Sequence, residues 1–295
     1  MKYTNKHNVP SEIIRALNND SYSKGDSVIS VTGLLQPPQI RLLNKKHYED
    51  ITIDVSDEIW KLLGQSVHTI LERANEDNED TITEQRMYAG IKGWRISGQT
   101  DSISVSDGIL KDYKVTSAWS VVSALTDGKP EWEQQLNCYA WLNRMNSGQE
   151  IKALHVIAIA RDWSKFQHQR SSGNYPISPV AVVNIPMWDK DKQESFIEER
   201  VALHQQAEAD HVINDILPKC SDIETWKKED TYRIIKKGRK SAVRVLHSQE
   251  EADEYLEKQK DTKGLSIEIA KGVSTRCESY CSVSEFCKQF NKEEL

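Results

Sequence analysis

Two aspartates and a lysine, Asp101, Asp112 and Lys114, have the clearest chemical potential in this chain. Residues 101–106 and 109–116 read as strands, and Asp107-Gly108 between them is a two-residue hairpin signal. With that turn Ser106 faces Ile109 and Asp101 falls opposite Lys114. Asp112 shares their face, because strand side chains alternate with a period of two. Asp101 and Asp112 are then diagonal neighbours, roughly 7–8 Å apart at the backbone and closer at the carboxylates. One divalent cation can bridge that gap. Hard oxygen ligands suit magnesium or manganese, which bind through one or two carboxylates and keep several waters. Such an ion lowers the pKa of a bound water and stabilises charge developing on a phosphate. Lys114 can orient or deprotonate the water, or neutralise the oxyanion, while Tyr113 points to the opposite face to pack against the core. An isolated Asp-x-Lys reads first as a cross-strand ion pair on a hydrated sheet face, so the neighbouring residues decide its meaning.

The elements that must position these residues can be traced on either side. A short helix over residues 11–17 precedes a β-branched, strand-like stretch at 28–35, which Pro37-Pro38 stops. Ile59, Trp60, Leu63, Val67, Ile70 and Leu71 recur at helical spacing over residues 57–73. Strands are expected at 84–88 and 94–98 before the hairpin, and a helix at 130–145 after it, with Trp132, Leu136, Tyr139, Ala140 and Leu142 on its apolar side. Strands at 153–160 and 180–185 and a long polar helix at 194–213 complete an α/β pattern. From residue 218 the character changes: alternation over 231–246 surrounds a basic cluster, a surface helix is expected at 250–260, and a cysteine-rich segment follows.

Gly98-Gln-Thr-Asp101 followed by Asp112-Tyr-Lys114 resembles the G-x-x-D and D-x-K motifs of the RecB-like branch of the PD-(D/E)XK nucleases. Gly64-Gln-Ser-Val-His68 is similar to the G-x-x-x-H motif of that branch, and Gln135-Leu-Asn-Cys-Tyr139 to its Q-x-x-x-Y motif. Gly64 and His68, like Gln135 and Tyr139, are four apart and share a helical face. Singly, His68 reads as a helix-boundary residue and Gln135 and Tyr139 as helix surface and core edge. Four motifs in order over about 75 residues are much harder to ascribe to chance. The resemblance implies a restriction-endonuclease-like core, a mixed central sheet flanked by helices, over residues 1–217. It implies hydrolysis of DNA phosphodiester bonds with magnesium or manganese, with Asp101, Asp112 and Lys114 catalytic. His68, Asp101, Asp112 and the Tyr113 backbone carbonyl are the implied metal ligands. Gln135 and Tyr139 would contact DNA and position the lysine, with Glu133 as an alternative polar contact. Glu84, in Thr83-Glu-Gln-Arg86, looks like the acidic residue some members carry ahead of the G-x-x-D strand. Thr100 stands where the name-giving proline would be.

The five cysteines are an odd number for a disulfide framework, and Cys277, Cys281 and Cys287 fall within eleven residues. This segment is similar to that of family members with a carboxy-terminal iron–sulfur cluster, among them CRISPR adaptation nucleases and certain phage nucleases. A 4Fe–4S cluster usually takes four thiolates. Cys220, 57 residues before Cys277, is the candidate fourth ligand. Cys138 is the other candidate, although inside its helix it reads as a buried thiol. Structural zinc is the competing occupant. Residues 218–295 would thus form a basic hairpin and a cluster-binding extension on the core. Lys236, Lys237, Arg239 and Lys240 suit DNA phosphates, or a solvated hairpin tip. Trp119 and Trp163 could stack on bases, though single tryptophans are more often core or boundary residues.

Composition bounds rather than directs these expectations. Hydrophobic residues make up 38%, charged residues 28%, and the net charge is −6. That balance argues against a surface coated in DNA-binding charge but permits an acidic metal site beside local basic patches. No apolar run approaches the roughly 20 residues of a membrane helix, and the polar first ten residues lack a signal peptide's apolar stretch. A cytoplasmic protein is expected, in the bacterial host if phage-encoded. The leading function is a DNA exonuclease or end-processing nuclease in phage or bacterial recombination, replication, repair or packaging. A structure-specific endonuclease and a non-catalytic DNA-binding or assembly module are the alternatives. DNA is the expected partner, with a homo-oligomer or a recombination or replication protein left open.

Overall fold

The computed structural model describes residues 1–19, 23–259 and 261–291. They form two compact units, Met1–Arg41 with Thr52–Leu217, and Leu42–Ile51 with Pro218–Leu295. In chain order the elements up to the second boundary are β1 (Lys2–Thr4), α1 (Ser11–Asn18), β2 (Ile29–Ser30), α2 (Val31–Leu35), α3 (Pro38–Lys46), β3 (Thr52–Asp54), α4 (Ile59–Arg73), β4 (Thr81–Ile91), β5 (Trp94–Ser104), β6 (Ile109–Thr116), α5 (Ala118–Thr126), α6 (Pro130–Asn146), β7 (Ala153–Ala160), α7 (Lys165–Arg170), β8 (Val180–Ile185) and α8 (Lys190–Asn214).

The first unit is α/β, a mixed six-stranded sheet with flanking helices. β6 runs parallel to β7 along its whole length, from Ile109↔Ala153 to Thr116↔Ala160, and β8 is antiparallel to β7. The position of β5 shapes the rest. β4 occupies one edge of β5 from Thr81↔Ser104 to Ile91↔Trp94. The other edge is divided: β2 pairs with Ile96 and Ser97, β6 pairs with Ser102 to Ser104, and residues 98–101 between them make no ladder pair there. The sheet therefore forks at Asp101.

The core lies between this sheet and its helices, above all α6, where Leu136, Trp141 and Leu142 pack with Ile103, Leu110, Leu154 and Val156. Burying each such large side chain contributes about 1.5–3 kcal/mol. Gly98 allows the closest approach. A Cβ there would stand 2.6 Å from Leu142 Cδ1 and 2.9 Å from Tyr139 Cε1, so α6 seats directly on this stretch of β5.

Three sequence expectations change. Residues 28–35 contribute only Ile29–Ser30 to the sheet; the Ser30 side chain then caps α2, accepting from the Gly33 N–H at 3.2 Å. The stretches expected at 94–98 and 101–106 merge into one continuous strand, β5, which ends at Ser104. The hairpin connection is four residues, 105–108, with Ser104 facing Ile109 and the Gly108 N–H donating to Ser104 O at 3.0 Å. Continued to the fork, that register sets Asp101 across from Asp112 rather than Lys114. A slip of two leaves every side chain on its original face.

The second unit contains β9 (Thr231–Lys236), β10 (Arg244–Leu246), α9 (Gln249–Glu257), β11 (Leu265–Ala270), α10 (Thr275–Ser279), a 3-10 turn at Ser284–Phe286 and α11 (Lys288–Asn291). The strands form an antiparallel sheet in the order β10-β9-β11. The unit starts at Pro218 and also takes Leu42–Ile51, which the sequence leaves with the first. His47 stacks on Phe286 at 4.2 Å, and Ser282 Oγ donates to Asn44 Oδ1 at 3.2 Å. Lys260, at the end of the helix expected over 250–260, lies outside the described residues. Among the described residues no helix is long and apolar enough to cross a membrane.

Candidate functional site

The fork in the sheet gathers the charged groups. Asp101, at the last unpaired position of β5, uses Oδ2 to accept the Tyr113 N–H of β6 at 2.6 Å, which ties the two strands where their ladder stops. α4 brings His68 to the same point: Nδ1 lies 3.3 Å from Asp101 Oδ1 and 3.8 Å from Glu84 Oε1, and Nε2 lies 3.1 Å from the Tyr113 carbonyl oxygen. Both ring nitrogens thus face acceptor oxygens, an arrangement that suits the doubly protonated imidazolium. The pKa agrees, raised to about 10 by the hydrogen bonds to Asp101 and then Glu84, with burial opposing. Ligand atoms of His68, Glu84 and Asp101 lie within 4.8 Å of one another, a spacing a metal ion can span. The Tyr113 ring, expected in the core, is half-buried and edge-on to His68 at 6.0 Å.

Asp112 and Lys114 complete the cluster from β6. Asp112 is 2% exposed, and its Oδ2 lies 2.6 Å from Lys114 Nζ. The contact is a short, buried ion pair between the ammonium and the carboxylate. Burial pushes the Asp112 carboxyl up to about 6, with Lys114 pulling it back and Asp101 adding repulsion. Burial alone would lower the Lys114 ammonium, but the charges of Asp112 and Asp101 outweigh it and its pKa ends above its ordinary value.

Glu84 reaches the cluster through an unusual backbone. It has φ +47° in the middle of β4, although Thr83↔Ser102 and Gln85↔Thr100 pair normally on either side. A left-handed non-glycine residue costs roughly 1–2 kcal/mol. Such strain persists where the surroundings impose it, commonly at functional sites. Two residues not singled out in the sequence hold the carboxylate: Gln99 Nε2 donates to Glu84 Oε2 at 2.6 Å, and Arg86 Nη2 donates to Gln99 Oε1. The period-two alternation from Asp101 back to Gln99 was the available signal.

These groups line one cleft of about 720 Å³. His68, Glu84, Asp101, Asp112, Lys114, Gln135 and Tyr139 all face it, together with Arg86 and Gln99. On α6, Gln135 Nε2 donates to Tyr139 Oη at 3.0 Å. Glu133 is engaged elsewhere, accepting from Trp188 Nε1.

The second unit carries Cys220, Cys277, Cys281 and Cys287. Burial chiefly pushes the Cys220 thiol up to about 12, with smaller contributions from Glu224 and the other three cysteines. Gln289 clamps Cys220 on both sides, accepting its N–H and donating to its carbonyl, each at 2.9 Å. The Arg276 N–H of α10 donates to Thr225 O at 3.1 Å, joining the Cys277 helix to the turn after Cys220. Cys138 belongs to the first unit, fully buried in α6. Lys236, Lys237, Arg239 and Lys240 are exposed at the end of β9 and in the turn towards β10.

No protein-family model matches the chain, and a search of curated proteins finds no match. Among solved structures, one described as "Crystal structure of SSO0001" is similar at 18% identity and a TM-score of 0.43, over 73% of this chain and 87% of that one.

Proposed function

We propose that this chain is a metal-dependent deoxyribonuclease of the RecB-like PD-(D/E)XK kind, hydrolysing phosphodiester bonds at DNA ends. The observation that carries the proposal is the convergence of His68, Glu84, Asp101, Asp112, Lys114, Gln135 and Tyr139 on a single cleft at the sheet fork. Two features fit a hard divalent cation: the carboxylate and imidazole donors of His68, Glu84 and Asp101 within reach of one ion, and an acidic cluster that in the absence of metal favours a proton on His68. His68, Asp101, Asp112 and the Tyr113 carbonyl would hold magnesium or manganese, with Glu84 beside them. The ion supplies water activation and charge stabilisation at the phosphate. Lys114, kept cationic by Asp112 and Asp101, stabilises negative charge developing on the phosphate oxygens or orients the attacking water. Gln135 and Tyr139 bound the cleft from α6 and can contact the strand being cut.

End-labelled linear DNA and closed circular DNA, each single- and double-stranded, test the proposal with magnesium or manganese present. Linear substrates should be degraded, circles spared, and Asp112→Asn should lower the rate by at least about 100-fold. Cutting of circles would instead identify a structure-specific endonuclease. Retention of DNA without cleavage of any substrate would overturn the nuclease proposal and leave a binding module.

For the second unit we propose a structural 4Fe–4S cluster on Cys220, Cys277, Cys281 and Cys287, supported by the spacing of the last three, by the presence of all four in this unit and by the clamping of Cys220 by Gln289. Protein purified without oxygen should be brown, with iron and acid-labile sulfide. Stoichiometric zinc without either would overturn the assignment. The basic turn at residues 236–240 is proposed as a phosphate contact, and recombination, replication or repair in a phage or bacterium as the setting.

A further inference from the structure

Arg86 and Gln99 line the cleft, yet neither belongs to the group of side chains spaced to hold an ion, His68, Glu84 and Asp101. They form a directly opposed pair of the β4–β5 ladder. Two residues further along the same ladder, between Thr83↔Ser102 and Gln85↔Thr100, Glu84 stands across from Asp101. Side chains two apart on a strand share a face, so the Arg86–Gln99 pair flanks the ligand pair on the cleft side.

The contacts between these residues have a direction. Arg86 Nη2 donates to Gln99 Oε1. A guanidinium can only donate, so Gln99 turns its carbonyl to Arg86 and its NH2 to Glu84. Gln99 Nε2 then donates to Glu84 Oε2 at 2.6 Å. The other oxygen, Oε1, faces the ligand group, 3.8 Å from His68 Nδ1. The left-handed backbone of Glu84, φ +47°, fixes where its side chain starts, and Gln99 fixes how its carboxylate is turned. Because the partner is a neutral amide, the carboxylate keeps its full charge while one of its oxygens is engaged.

We infer that Gln99, oriented by Arg86, is a positioning residue that limits Glu84 to single-oxygen ligation and so selects magnesium or manganese over calcium at this site. This selection presupposes the metal site of the proposed nuclease and adds the residues that tune it. Magnesium is small and demands near-octahedral ligands, each giving one oxygen, whereas calcium gathers about six to eight oxygens and readily takes both from one carboxylate. A Glu84 free to swing would offer calcium that second oxygen. Residues that orient a ligand typically change metal affinity by about 10–100-fold when removed.

Titration calorimetry of DNA-free protein, with manganese and separately with calcium at one pH, reads this without turnover. Gln99→Met keeps the length of the side chain and removes the amide. Arg86→Met removes the donor that turns the amide, and Arg86→Lys keeps a donor. Gln99→Met and Arg86→Met should each weaken manganese binding about tenfold and leave calcium binding within about twofold. Arg86→Lys should retain most of the wild-type preference. Glu84→Gln should itself weaken manganese binding, and adding Gln99→Met to it should cost nothing further, since Gln99 acts through Glu84.

Equal weakening of both ions, an unchanged preference, or an additive loss in the double variant would overturn the inference. Melting curves without metal identify folded variants; if Gln99→Met is unfolded, Arg86→Met against Arg86→Lys decides. Wild-type protein that binds manganese and cuts DNA, with variants of unchanged preference, leaves only the nuclease proposal standing. Wild-type protein that cuts nothing, with variants that shift preference as expected, leaves only the positioning role. Wild-type protein that binds neither ion removes both.

Discussion

His68 and Asp112 are displaced from ordinary protonation in opposite senses of charge. The imidazole is held cationic up to about pH 10 by Asp101 and Glu84, whereas burial makes the Asp112 carboxylate hard to ionise below about pH 6. A metal ligand must be a neutral imidazole, so binding an ion at neutral pH requires His68 to lose its proton. Affinity should therefore rise with pH across the neutral range and level off near pH 10. Titration calorimetry with manganese in buffers of different ionisation enthalpy should show release of about one proton per ion near pH 7.5. His68→Asn should abolish that release and weaken binding. A binding heat independent of buffer would mean that His68 is not displaced from its proton by the ion. At this scale the sequence was informative because chemistry-bearing residues stood at fixed spacings: Asp101, Asp112, Lys114, Gln135 and Tyr139 all face the cleft. Their faces survived a register error of two, since side-chain direction repeats every two residues. Glu84 was readable as a residue, but its left-handed backbone and its support by Gln99 and Arg86 arise only from pairing between β4 and β5.

The fork is a property of elements. β5 is one strand with two partners on the same edge, and the unpaired residues 98–101 between those partners create the gap that His68 enters. One partner, β2, is two residues long, too short for any periodicity to reveal. Its neighbours were read as strand because Val28, Ile29 and Val31 are β-branched; the Ser30 cap turned the chain into α2 instead. α5 was also missed, although Ser117 caps it by accepting from the Ser120 N–H at 3.2 Å. Gly98 links this architecture to the cleft, since α6 packs against it through Leu142 and Tyr139. Gly98→Ala should push Tyr139 or β5 aside and destabilise the protein by about 1–3 kcal/mol, the usual cost of overpacking. Thermal melting should show the loss, and cleavage should fall further than Tyr139→Phe alone produces, because the displaced strand carries Asp101. Wild-type melting and activity in Gly98→Ala would mean that the α6 contact is looser than the structure shows.

At the scale of the whole molecule, the chain does not divide by simple succession. Leu42, Leu43 and Ile51 are buried in a segment that belongs with residues 218–295, so the second unit takes part of its core from inside the sequence of the first. No local pattern announces such an exchange, since the segment's partners lie far along the chain, as Ser282 does for Asn44 some 240 positions away. The cysteines obey the same logic. Cys277, Cys281 and Cys287 were recognisable by their spacing, whereas the fourth ligand was ambiguous between Cys220 and Cys138 because spacing is silent over long gaps. Cys220 lies in the second unit with the other three cysteines, whereas Cys138 is buried in α6 of the first, and we propose Cys220 as the ligand on that ground. Cys220→Ser should strip iron and sulfide from anaerobically purified protein, bleach its visible absorption and lower the melting temperature of the second unit. Cys138→Ala should leave iron, sulfide and colour intact and cost only a small packing term, about 1 kcal/mol for the lost sulfur contacts. The reverse pattern, with colour lost in Cys138→Ala and kept in Cys220→Ser, would remove Cys220 from the cluster. Metal loss in neither variant would leave three cysteines and some other donor as the ligand set.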